Sequence, residues 1–146
     1  MGVRREGREA AVQFLYQQDL NPDSTMLSLP EFYTLRGLSP SVRQFSDLLI
    51  RGALHHRNCI DDMIQSHTKN YELMRISSVD RNILRIAIYE MLECPEIPSV
   101  VSINEAIEIA KKYSTEESGR FVNGVLDRVR LILKGLQTGA ICSLQC

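Results

Sequence analysis

SINEAIEIAKKYSTEESGRFVNGVLDR, residues 102–128, carries two amphipathic helical patterns and no catalytic signature. Ser102 and Glu105 have the S-x-x-E spacing of a capping box, with Val101 and Ala106 as a small hydrophobic staple, so a helix is expected to start there. Lys111 and Lys112 follow in its last turn, where the helix dipole favours cations. Ser114–Glu117 repeats the S-x-x-E spacing. Beyond it Phe121, Val122, Val125, Leu126, Val129, Ile132 and Leu133 trace one face of a closing helix. Gly124 interrupts that helix at a cost of about 0.8–1 kcal/mol relative to alanine, which points to close approach of a neighbouring helix. Phe121 fits either the core or an exposed edge shared with Gly124 and Arg128, with Arg120 one turn away.

Working outward, the same periodicity covers most of the chain. From Arg4 to Leu20, the residues Ala10, Ala11, Phe14, Leu15 and Gln18 share a face, and Asn21-Pro22-Asp23 ends the helix. Residues 22–40 hold three of the five prolines and suggest irregular chain with one short helix near Leu29–Leu35. A helix restarts at Ser39-Pro40-Ser41 with Val42, Phe45, Leu48 and Leu49 inward. It continues through Leu54, Ile60, Met63 and Ile64 to His67, with a break near Asn58. Another begins at Ser77 or Ser78 and carries Val79, Ile83, Leu84, Ile86, Ala87, Ile88, Met91 and Leu92, an arc wide enough for a helix surrounded by others. Pro95 and Pro98 end it. No useful period-two stretch exists, so the fold class is all-α. Beyond Lys134-Gly135 the periodicity is lost and residues 135–146 read as a fraying, disordered tail.

Size and composition set further bounds. A chain of 146 residues fits one domain with a real core. The 44% hydrophobic and 24% charged content is ordinary for a globular protein, and a net charge of −1 excludes bulk basicity as a source of nucleic-acid binding. Cys59, Cys94, Cys142 and Cys146 form no CxxC pair and do not space with His55, His56 and His67 as zinc ligands would; free thiols are expected, and no metal or cofactor. No signal-peptide pattern or membrane-length apolar run is present, so a cytoplasmic protein is expected. The paired acids Asp61-Asp62, Glu116-Glu117 and Glu105 with Glu108 read as solvated or dipole-stabilising groups. An enzyme is therefore the weakest class.

One basic cluster stands out. Arg4, Arg5 and Arg8 crowd the start of the first helix, and Arg5, Arg8, Val12 and Tyr16 form one stripe. Arginine forks beside an aromatic edge suit single-stranded RNA. A solvated helix end, with Glu6 and Glu9 pairing locally, is the plainer reading of the residues alone.

The segments RREGREAAVQFLYQ (4–17), VDRNILRIAIYEM (79–91) and SINEAIEIAKKYSTEESGRFVNGVLDRV (102–129) closely resemble the NusB family of bacterial transcription antitermination factors, in order over residues 3–134. The resemblance implies a single domain, 1–134, of about seven helices in two small packed bundles, about 1–70 and 71–134. It implies a heterodimer with the ribosomal protein NusE that binds boxA RNA of ribosomal RNA leader transcripts within the RNA polymerase antitermination complex. By the same resemblance, Arg4, Arg5, Arg8, Tyr16, Lys111, Lys112, Glu117, Arg120, Phe121 and Asn123 would face RNA. Tyr16, Asp80, Arg81 and Arg85, the last three on the outer side of the middle helix, would face the partner. Glu6 and Gly119 depart from the family's usual arginine and histidine, which implies weaker phosphate attraction and more dependence on NusE. Some family members form homodimers through the RNA surface. The family domain also opens some ribosomal RNA cytosine methyltransferases, a reading the chain length disfavours. The competing class is a helical protein–protein module, or homodimer, that binds no RNA.

Overall fold

The computed structural model describes residues 2–21, 28–68 and 72–137. Among them are seven α-helices and one short 3₁₀ turn at Leu73–Arg75, with no strand. Helix α1 spans Val3–Leu20, α2 Leu29–Arg36, α3 Pro40–His55, α4 Arg57–Ser66, α5 Ser78–Glu93, α6 Ser99–Tyr113 and α7 Glu116–Gln137. No helix is long and apolar enough to cross a membrane among the described residues.

Local chemistry sets most of the helix starts. Ser28 and Ser39 each accept a hydrogen bond from a first-turn amide, with Pro30 and Pro40 in the opening turns where a missing N–H costs nothing. Ser77 caps α5 by accepting from the Asp80 amide at 3.2 Å. Gly37, at φ 65°, takes the left-handed conformation that closes α2. The long helical pattern of residues 41–67 breaks at His56, two residues before the expected point, because His56 leaves helical geometry (φ −100°, ψ 17°).

Helix α5 is the axis of the molecule. Every residue from Asp80 to Met91 is buried, and α1, α3, α4, α6 and α7 all pack against it. Its apolar residues join Ala10, Ala11, Phe14 and Leu15 of α1, Leu49 and Ile50 of α3, and Val122, Val125, Leu126 and Val129 of α7 in one contiguous core. Leu48 and Ile132, expected inward, are about half exposed at 47% and 48%, each lying past the edge of its helix's buried arc. Cys94 is a buried free thiol, pushed up to about 11 by burial and the nearby Glu96. Against the expectation of free thiols, Cys59 is disulfide-bonded, since spacing along a chain does not report which sulfurs meet in space. Helix α7 runs past Gly135 to Gln137; the rest of the tail expected to fray, with Cys142 and Cys146, lies outside the described residues.

The two S-x-x-E patterns are used differently from expectation. Helix α6 starts three residues before Ser102, directly after Pro98, so Ser102 and Glu105 are interior residues and form no capping box. Helix α7 is capped one residue late, by Thr115, whose Oγ1 accepts from the Ser118 amide at 3.0 Å. Gly124 admits no neighbouring helix: a Cβ there would meet only the Arg128 guanidinium, at 4.0 Å. The crowded glycines are Gly7, whose Cβ would lie 2.8 Å from the Phe45 ring, and Gly52, whose Cβ would lie 2.0 Å from that of Tyr89. In chemical denaturation, Gly124→Ala is expected to stabilise by about 0.5–1 kcal/mol through helix propensity. Gly52→Ala is expected to destabilise by about 1–3 kcal/mol through overpacking.

Candidate nucleic-acid and partner interface

The arginine helix α1 lies against α6 through cross-helix polar contacts. Arg5 donates through Nε and Nη2 to the two oxygens of Glu105, at 3.0 and 2.5 Å. Arg8 donates through Nε and Nη2 to the two oxygens of Glu90 on α5, both at 2.8 Å, and Ser102 donates to the same carboxylate at 3.0 Å. One turn on, Glu9 accepts from Lys112 Nζ at 2.9 Å and from the Tyr113 hydroxyl. The Arg5 hydrogen bonds hold the Glu105 carboxyl below its usual range, overriding burial. Burial, then Glu9, pushes the Tyr113 hydroxyl up.

These contacts sort the three arginines by access. Arg8 is buried and fully engaged, its side chain 4% exposed against 1% for Glu90. Arg5 is 40% exposed in its pair with Glu105. Arg4 is exposed, with its guanidinium 5.8 Å over the Phe45 ring. The expected stripe of Arg5, Arg8, Val12 and Tyr16 therefore presents only its two ends, Arg5 and Tyr16, both partly exposed. Glu6 is partly exposed, and Glu9 turns to α6 instead of pairing along its own helix.

Two grooves continue the strip. A cavity of about 320 Å³ is lined by Glu9, Val12, Gln13, Tyr16, Val79 and Tyr113, mostly apolar. A second, of about 250 Å³, opens where α5 and α7 begin, between Arg75, Ser77, Asp80, Glu117, Ser118 and Phe121. Adjacent Val79 and Asp80 link the two. Lys111 ties the end of α6 to the start of α7, 3.8 Å from Glu108 and 4.0 Å from Glu116, with its stem over Gly119. A helix turning about 100° per residue puts Glu117 and Phe121 on the groove side of α7. It puts exposed Asn123 on the far side, about 160° from Phe121, and exposed Arg120 at the edge, about 60° from Glu117. Tyr16, Asp80, Glu117 and Phe121 are thus gathered along one strip with Lys111 and Lys112, with Arg120 at its edge beside Glu117, whereas Asn123 faces away from the Phe121 groove.

The expected outer position of Asp80, Arg81 and Arg85 is not what α5 adopts. All three are buried, at 7%, 5% and 3% exposure, because the helix is enclosed on every side. Arg85 forks onto Asp61 at 2.8 and 3.0 Å and also donates to Asp19 at 2.8 Å. Arg81 donates to Asp19 at 3.0 Å and to the Ile76 carbonyl at 2.9 Å. Arg57 and Asn82 add contacts to Asp19 at 3.1 and 3.0 Å. Burial pushes the Asp19 carboxyl up, but Arg85, Asn82 and Arg81 together outweigh it and hold it below the usual range. Only Asp80 borders a groove. Burial raises its carboxyl, and its Oδ1 has no hydrogen-bond partner among the described residues.

Sequence reasoning missed Asp19, Glu90 and Tyr113 and gave Glu105 a capping role. The only local signal was a negative one: arginines in a first helical turn oppose the dipole and so call for carboxylates from elsewhere.

The NusB family model matches residues 5–130. The transcription antitermination protein NusB of Trichlorobacter lovleyi is 46% identical over 129 residues, covering 88% of this chain and 91% of that protein. Among solved structures, T. maritima NusB is 39% identical with a TM-score of 0.78, covering 87% of this chain and 89% of its own. A complex of the antitermination factors NusB and NusE with double-stranded RNA contains a chain 25% identical to this one. Its TM-score is 0.79, and the match covers 90% of this chain and 98% of that one.

Proposed function

The chain belongs to the NusB family, and on that basis we infer that it is an RNA-binding transcription antitermination factor acting with a NusE-type ribosomal protein. NusB proteins are antitermination factors and not enzymes. The observation that carries the reading is the match, over nearly the whole chain, to a relative solved together with NusE and RNA. The finer assignment is boxA-type RNA of ribosomal RNA leader transcripts, bound in the cytoplasm within the polymerase antitermination complex.

The chemistry of the strip supports a division of labour. Exposed Arg4, Lys111, Lys112 and Arg120, partly exposed Arg5 and the half-buried ring of Phe121 suit phosphates and unstacked bases, and Asn123 extends the polar surface around α7. The apolar groove of Val12, Tyr16, Val79 and Tyr113, edged by Glu9, suits side chains of a protein partner. Arg8, Arg81 and Arg85 act from beneath, fixing the helices that carry these groups. With a net charge of −1, the chain lacks a general attraction for RNA, so the partner supplies part of the affinity.

Gel shifts of boxA-bearing and scrambled RNA, with and without NusE, test this directly. A boxA preference strengthened by NusE is expected. Equal binding of both RNAs under both conditions would favour a helical protein–protein module or homodimer instead. Arg4→Glu and Arg120→Glu each lie outside the buried pairs. Each is expected to weaken binding of all RNAs and to lower the salt slope by about 0.7–1.

A further inference from the structure

The basic surface contains its own competitor. Arg5 presents two donors to the two oxygens of Glu105, the fork geometry with which arginine also grips two oxygens of a phosphate. Both partners reach the rim: Arg5 is 40% exposed and Glu105 17%. By contrast, Arg8 is sealed onto Glu90 and Ser102 and touches Glu105 only at 3.4 Å. The guanidinium that can exchange partners is therefore that of Arg5. The fork is well made, but it lies at the rim, where a phosphate can reach Arg5 and compete with Glu105 for it.

We propose that Glu105 occupies the position of an RNA phosphate on Arg5, so that RNA must displace an internal carboxylate before it gains this cation. The inference rests on the RNA-binding reading above and goes beyond it by assigning a restraining role to a residue of α6. Two consequences follow. Arg5 contributes less to RNA affinity than its charge suggests, because each phosphate contact is exchanged for a broken ion pair. Glu105 also limits binding to arbitrary polyanions, since only an RNA already held by other contacts pulls Arg5 away.

The test is Glu105→Gln, which removes the charge while Arg8 keeps both bonds to Glu90. Binding of a boxA-bearing RNA oligonucleotide with NusE, and the salt needed to elute the protein from heparin, are measured in parallel. The expected result is RNA binding about three- to tenfold tighter, a salt slope steeper by about 0.7, and later heparin elution. Adding Arg5→Ala to Glu105→Gln should abolish the gain, which a merely structural role for Glu105 would not require. Unchanged or weaker binding in both arms, with the fold intact by circular dichroism, overturns the proposal. Later heparin elution without RNA binding by either protein would retain the competition and reject the RNA reading. Should Glu105→Gln fail to fold, the wild-type Arg5 Nε–H resonance decides: a shift on saturation with RNA supports exchange, and no shift overturns it.

Discussion

Asp19→Ala is expected to lower the unfolding free energy by about 3–5 kcal/mol in urea denaturation, close to the whole stability of many small domains. Asp19 sits near the end of α1 and receives Arg57, Arg81, Asn82 and Arg85. Two of those guanidinium groups are almost completely buried. Without the carboxylate, Arg81 retains backbone carbonyls and Arg85 retains Asp61, but two positive charges then face each other without the group between them. Asn in place of Asp should recover only part of the loss, because the amide keeps an acceptor but no charge. The linkage sign is that of a depressed acid. The Asp19 contribution is complete above the ordinary aspartate value of 3.8 and is lost as pH falls below it through the lower folded value. The acid limb of the stability profile should therefore flatten in Asp19→Ala. An unaltered limb would show that other carboxylates govern acid unfolding.

The pair Arg8–Glu90 should show a different signature. Arg8→Ala or Glu90→Ala alone is expected to cost about 3–5 kcal/mol, since each strands a buried opposite charge. Replacing both, as Arg8→Met with Glu90→Leu, should recover most of that loss, because the pair itself had to be desolvated to form. A double variant as unstable as the sum of the singles would refute this account. The result also bears on function. A charge reversal at Arg8 is expected to damage α1 itself, so any loss of RNA binding in that variant must be read against folded fraction. Reversals at Arg4 and Arg120 report on the surface itself.

The helices were legible because their signals are local. Apolar residues at i, i+3 and i+4 identify the buried faces of α1, α5 and α7, and the serines before α2, α3 and α5 mark real caps. Ser102–Glu105 shows where local signals mislead. The spacing of a capping box is present, yet Pro98 already starts α6 and turns Ser102 inward to Glu90, while Glu105 meets α1. Gly124 misled in the same way: helix context singled it out, but whether another chain segment comes close is a tertiary fact, true of Gly7 and Gly52 instead. The candidate site was legible in part through resemblance, which drew attention to Tyr16, Asp80, Glu117 and Phe121. It could not tell an arginine that meets solvent from one that meets a buried carboxylate. That distinction depends on Asp19, Glu90 and Glu105, none adjacent in sequence to the arginines they hold.

The spans of those contacts have a kinetic meaning. Arg5 and Glu105 are 100 residues apart, Arg8 and Glu90 82, and Lys112 and Glu9 103. Helix α1 is made first, but its polar face is matched only after α5 and α6 have been synthesised. A nascent chain stopped short of α6 carries Arg5 without its carboxylate, and is more basic at its N-terminus than the finished protein. Closing loops of this length is slow relative to helix formation. Maturation of the surface is thus timed by the completion of synthesis: the arginine-bearing face of α1 is among the last parts of the protein to take its final charge.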